Sequence, residues 1–194
     1  MLSNEIKRIT LLVFVLCITV CSTSAQLLHV SRQYYNSVYD LDLLCPRQVT
    51  WTLHASDIGD VKREPSWRFV DDIDHPLGVA CHDDYKNSGY HRGHLCPAKD
   101  RSFQICAMRS TFTTSNIAPQ TPRLNTGSWL RTEEWCRKAA LQYDSICILA
   151  MPVWLDRDTV RIGAHRLAVP HAFIKACWHA KTDSVLNAWF IFNK

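Results

Sequence analysis

His91 and His94 bracket an Arg-Gly in GYHRGHLCPAKDRS (residues 89–102), and a Cys-Pro follows at once. Imidazole is the side chain whose ordinary pKa lets it accept a proton near neutral pH. Beside the Arg92 guanidinium it resists protonation, which suits His94 to the work of a base, and Arg92 is then available to a phosphate oxygen. Gly93 between them lets backbone or ligand approach closely. Asn125 carries a neutral carbonyl oxygen, a hard donor for Mg²⁺, which takes few protein ligands and keeps several waters. A neutral donor leaves the ion's double charge to face a phosphate. Glu133 and Arg137 stand at i and i+4 on one helix face. Each feature alone has a plainer reading: a structural histidine, a turn asparagine, a surface ion pair.

Charge points the same way. Residues 92–138 hold eight Lys/Arg against three acids, so this window is +5 while the whole chain is +4. Arginine's planar fork suits phosphate, and a basic window around a base suggests a polyanionic partner. With 47% hydrophobic and 21% charged residues in 194, the chain is globular rather than disordered and long enough for one core.

The first 25 residues read as a signal peptide: a short basic start, the apolar run ITLLVFVLCITV, and small residues ending at Ala25. The run is too short to span a bilayer comfortably. This predicts a mature, secreted or periplasmic protein of residues 26–194, one domain, without stable membrane association. Seven of the nine cysteines then remain in an oxidising compartment, where some should pair. The odd count allows a covalent homodimer. Zinc bound by Cys81, His82, His91 and Cys96 is a weaker alternative, because the mature chain has no C-x-x-C.

The elements that must position these groups are read from pattern. Residues 49–55 (VTWTLHA) alternate as a strand, 60–76 are loop, and 89–97 form a brief strand entering an exposed loop. A helix is expected over 98–112 and a long irregular loop over 114–127, which carries Asn125. Residues 128–143 are the clearest helix, capped by Thr126 or Ser128. Residues 145–154 and 186–192 are strand-length apolar runs, and 158–170 read as a hairpin. Strands and helices in no repeating βαβ order point to an α+β fold.

Together, SGYHRGHLCPAKDR and FTTSNIAPQTPRLNTGSWLRTEEWCRK resemble the DNA/RNA non-specific endonucleases, whose signature runs D-R-G-H, then S-N-x-x-P-Q, L-N-x-x-x-W and L-E. The resemblance covers about residues 49–192. It implies a mixed sheet domain with an embedded ββα-metal finger, His94 on its strand side and Asn125 at the head of its helix. By resemblance His94 is the general base, Asn125 the Mg²⁺ ligand (Mn²⁺ a substitute), and Arg92, Asn116, Glu133 and Arg137 complete the site. The family's upstream arginine matches Arg63, ahead of Trp67, better than Arg68. The implied reaction is hydrolysis of DNA and RNA to 5′-phosphate ends. Contacts to the phosphate backbone would make it indifferent to sequence and steeply salt-dependent.

Two departures stand out. His91 replaces the aspartate of D-R-G-H and must substitute for it by hydrogen bonding if that aspartate positions the finger. The glutamate falls in LRTEEW, where Glu133 keeps the spacing and Glu134 is left to solvent. An inactive binding module of the same fold is the first rival, with His91 marking the loss of turnover. A secreted antibacterial effector with an inhibitor protein is the second.

Overall fold

The computed structural model describes residues 25–73, 82–155 and 158–194. The expected signal segment lies almost wholly outside them, as does Cys81. Among the described residues no helix is long and apolar enough to cross a membrane.

Six strands form one sheet: β1 (Leu27–Ser31), β2 (Asn36–Asp40), β3 (Cys45–His54), β6 (Ser145–Val153), β9 (Ala172–His179) and β10 (Val185–Phe192), in the order β1-β2-β3-β6-β9-β10. Every neighbouring pair is antiparallel. Period-two alternation explains β3: Val49, Trp51 and Leu53 are buried while Gln48, Thr50 and Thr52 are only half so. Against that inner face packs α2 (Trp129–Tyr143), which buries Trp129, Thr132, Cys136, Ala139 and Ala140 at helical spacing. Each large buried side chain in this seam, such as Leu53, Ile146, Ile148 and Phe173, contributes about 1.5–3 kcal/mol. The fold is α+β, as the pattern predicts.

Between β3 and β6 the chain makes one long excursion that carries all the candidate site residues. It leaves and returns at one place, where the Ala55 N–H donates to the Asp144 carbonyl (2.8 Å). Within it, β4 (His91–His94) and β5 (Ile117–Gln120) form a two-stranded antiparallel ladder, and the helix ending in α2 follows. This is the expected ββα finger. The hairpin expected over 158–170 is β7 (Arg161–Ile162) with β8 (Leu167–Ala168).

Three local expectations are corrected. The helix over 98–112 is broken into a 3₁₀ turn at Ala98–Arg101 and a short α1 (Ile105–Arg109). Distant partners break it: the buried Arg101 donates to the Tyr34 and Thr52 carbonyls (2.6 and 2.9 Å) and pairs with Asp57 (2.7 Å). The loop over 114–127 contains β5, a strand short enough to tolerate Pro119. Its end is already helix: Pro122 opens the first turn, Thr121 Oγ1 accepts from the Leu124 N–H (3.2 Å), and Leu124–Ser128 widen into a π-turn. Neither Ser128 nor Thr126 caps it, since Ser128 is already helical and Thr126 donates to the Pro122 carbonyl.

The cysteine expectation is also corrected. Cys45, Cys96, Cys106, Cys136, Cys147 and Cys177 are all free thiols. Cys96 is held through its backbone, which bonds to the Asn116 amide.

Candidate active site

β4 and β5 present the HRGH residues in a fixed register, His91 opposite Gln120 and His94 opposite Ile117. Gly93 packs directly against the Gln120 side chain. A Cβ at that position would sit 2.3 Å from the Gln120 side chain, so close approach by a neighbouring strand, not by a ligand, uses the glycine.

His94 sits in an aromatic enclosure. Its ring lies 5.2 Å from Phe69 and 4.8 Å from Phe112, and its Nε2 is shielded from solvent with no hydrogen-bond partner. The Trp129 indole N–H donates to the His94 carbonyl (3.0 Å), fixing the end of β4 onto the start of α2. Burial, with Arg63 adding to it, pushes the His94 pKa down to about 3. The ring is therefore neutral throughout the physiological range.

The enclosure is closed by residues 59–70. That strap is pinned at one end by Gly59 N–H to Ser102 Oγ (2.9 Å) and Val61 N–H to the Ser102 carbonyl (3.0 Å). At the other end Val70 N–H donates to the Phe112 carbonyl (2.9 Å). Exposed Arg63 lies over the Phe112 ring at 4.7 Å, with Trp67 edge-on to the same ring. Arg68, the second candidate, folds back onto the Pro65 carbonyl (3.1 Å). Arg63 is the one brought to His94.

Asn125 lies inside the π-turn, not in a loop before the helix. Such widenings shift a side chain relative to the regular helix face and are frequent at functional sites. Its Nδ2 is 3.1 Å from His91 Nδ1. With the His91 proton on Nε2, the imidazole accepts from the amide and turns the Asn125 Oδ1 away from it. A neutral oxygen so oriented fits a hard cation that keeps most of its water. Among the described residues no group of three or more His, Cys, Asp or Glu could hold a metal. That leaves no zinc cluster within the described residues, of which Cys81 is not one.

Down the helix, Arg137 reaches Glu133 at 3.9 Å and Asp100 at 3.0 Å. Asp100, fully buried, also accepts from the Trp51 indole N–H (3.1 Å). Burial pushes the Glu133 carboxyl up to about 7; Lys175 and Arg137 pull against the rise, and Asp100 and Glu134 add to it. Glu134 itself is exposed, as expected.

Two predicted residues are spent on structure. Arg92 directs Nε (2.9 Å) and Nη2 at the His82 carbonyl, with Phe69 and Tyr85 beside its guanidinium. Only its remaining donors can face a phosphate. Asn116 is fully buried, and its amide donates to the Cys96 and Thr111 carbonyls and accepts from the Cys96 N–H, all at 2.9 Å. It bolts the turn after β4 to the turn before β5 and does not reach the site. Asp100, Gln120 and Lys175, all fully buried, were missed. A charged or polar side chain in sequence reads as solvated, and nothing local marks these as interior.

A sequence model of the DNA/RNA non-specific endonucleases matches residues 15–193. The chain belongs to this family. Human mitochondrial endonuclease G is 34% identical over 123 residues, 59% of this chain and 41% of that protein. Mouse mitochondrial nuclease EXOG is 36% identical over 161 residues, 75% of this chain and 43% of that protein. The chain thus spans less than half the length of these curated relatives. A chain in the crystal structure of the EndoG/EndoGI complex superposes with a TM-score of 0.77 at 26% identity, covering 86% of this chain and 74% of that one.

These relatives overturn the secreted or periplasmic expectation, since they are mitochondrial nucleases. The family match also begins inside the apolar run that was read as a leader. With that expectation goes the argument for an oxidising compartment, which accords with the free thiols.

Proposed function

We propose that residues 26–194 act as one nuclease domain that hydrolyses phosphodiester bonds in DNA and RNA with a divalent cation, Mg²⁺ or in its place Mn²⁺, and leaves 5′-phosphate ends. The observation that carries this reading is the unpartnered His94 Nε2, a neutral imidazole nitrogen on the same finger as the outward-turned Asn125 oxygen. A ring nitrogen with no donor of its own is the acceptor a general base requires.

Asn125 would hold the cation, which when bound supplies Lewis-acid stabilisation of the phosphate and the leaving oxygen. His94 Nε2 takes the proton of an attacking water. Its carbonyl, anchored by Trp129, keeps the ring on a rigid strand end. Arg63, with Phe112 beneath it, offers its donors to the scissile phosphate, and the free donors of Arg92 do the same. Glu133, ionised above pH of about 7, orders water beside Asn125, and Arg137 balances its charge. Cleavage should rise with pH through that value while His94 stays neutral. Substrate access begins with the strap 59–70 shifting off His94.

Exposed Lys99, Arg109, Arg123, Arg131 and Lys138 extend the basic window for further phosphate contacts. Arg101 is excluded from that surface by burial. An inhibitor protein is a second partner, because the superposable EndoG chain is one in complex with EndoGI.

The test is degradation of supercoiled plasmid and structured RNA by the purified chain in Mg²⁺, in chelator, and for His94→Ala in Mg²⁺. Loss of both substrates only for the intact protein with metal supports the reading. Salt-sensitive binding without cleavage in every lane would replace it with the inactive binding module.

A further inference from the structure

Lys175, on β9, is fully buried, and its Nζ has no hydrogen-bond acceptor among the described residues. The ammonium lies 3.9 Å over the Trp129 ring and 6.0 Å from Trp51. Both indoles donate to residues around the site, Trp129 to the His94 carbonyl and Trp51 to Asp100 Oδ2. A buried ammonium is retained only where opposite charge compensates it.

We propose that Lys175 is a positioning residue of the nuclease site, a buried counter-charge that keeps the Glu133 and Asp100 carboxylates ionised together beside Arg137. The four groups come from three elements: Asp100 from the turn after β4, Glu133 and Arg137 from α2, and Lys175 from β9. Two negative charges stand against two positive ones. Without Lys175 the set is one positive charge short, and Glu133, a carboxyl that burial already pushes up, takes up a proton to restore balance. Exposed Glu134 also acts on Glu133, and the Cys96, Cys136 and Cys177 thiols face the same ammonium.

The inference rests on the proposed part of Glu133 in catalysis, but its test needs neither metal nor turnover. Urea unfolding of the full chain in chelator is followed from pH 5.5 to 8.5 for the parent, Lys175→Met, Glu133→Gln and the double variant. The folded Glu133 carboxyl lies above its ordinary value, so the folded state holds a proton that the unfolded chain has released. Stability therefore falls as pH rises through about 7 and then levels in the parent. In Lys175→Met the fall should continue above pH 7, at up to about tenfold in the folding constant per pH unit. The double variant should be level there.

A Lys175→Met curve parallel to the parent at every pH overturns the proposal and leaves Lys175 as packing. If Lys175→Met does not fold, the double variant decides: folding restored by Glu133→Gln supports the counter-charge, and failure to fold overturns it. An inactive parent protein would sink the nuclease reading while leaving this measurement intact.

Discussion

The two histidines of HRGH, three residues apart, occupy opposite physical worlds. His94 is walled in by Phe69, Phe112 and the Arg63 strap, and its Nε2 touches no donor. His91 is exposed and spends its Nδ1 on the Asn125 amide. In the proposed reaction one ring acts on a proton and the other on the orientation of a neighbour. Burial sets protonation, and a hydrogen bond sets geometry; this finger uses each for a different histidine.

The largest effect that would sharpen the contrast is on turnover. His94→Ala should lower kcat about 10²–10⁴-fold with the fold intact. A His91→Ala variant equally dead at saturating metal would break the contrast, because an orienting residue should be rescued by more metal. Next, His91→Ala should weaken Mg²⁺ binding about 10–100-fold by calorimetry, and His91→Asp should recover much of that loss. An unchanged affinity would leave the 3.1 Å contact with Asn125 without consequence.

Stability against pH tests the His94 enclosure directly. The folded His94 pKa is depressed to about 3 from an ordinary 6.5, so the unfolded chain binds the extra proton. Its contribution is present above pH of about 6.5 and is lost as the pH falls toward 3, by up to tenfold in the folding constant per unit. His94→Gln should flatten that part of the urea-unfolding curve in chelator. The smallest effect belongs to the strap. Arg63→Gln should ease the acid sensitivity slightly, since Arg63 is the lesser cause of the depression after burial. Arg68→Gln, which loses only a bond to the Pro65 carbonyl, should change stability by no more than about 0.5 kcal/mol.

What could be seen from sequence follows the range of the interactions involved. His94 and Asn125 were legible as candidates because the chemistry proposed for them depends on residue type and short spacing, and α2 was legible because five buried positions repeat at helical period. The break in 98–112 was not, because it is imposed by Asp57, Tyr34 and Thr52, 44 to 67 residues from Arg101. Asn116 looked like a site residue by motif, yet its three bonds run to backbone, a destination no side-chain pattern encodes. Lys175 was invisible for a similar reason. In FIKACW a lysine reads as the outward member of an alternation, whereas β9 turns it inward with Phe173 and Cys177. The disulfide expectation failed one step earlier, since it was inferred from a compartment rather than from geometry.

The single hydrogen bond between Ala55 and Asp144, where the finger-bearing excursion begins and ends, bears on the order of assembly. Pairing β3 with β6 closes a loop of roughly ninety residues, which costs about 4 kcal/mol of chain entropy if the loop is unstructured. The β9–β10 hairpin and the β4–β5 ladder close shorter loops, at about 1.4 and about 2.7 kcal/mol by the same rule. A finger already folded shortens the effective loop that the sheet must close. The catalytic excursion would then form early and draw the two halves of the sheet together, acting as a scaffold for the architecture that afterwards supports it.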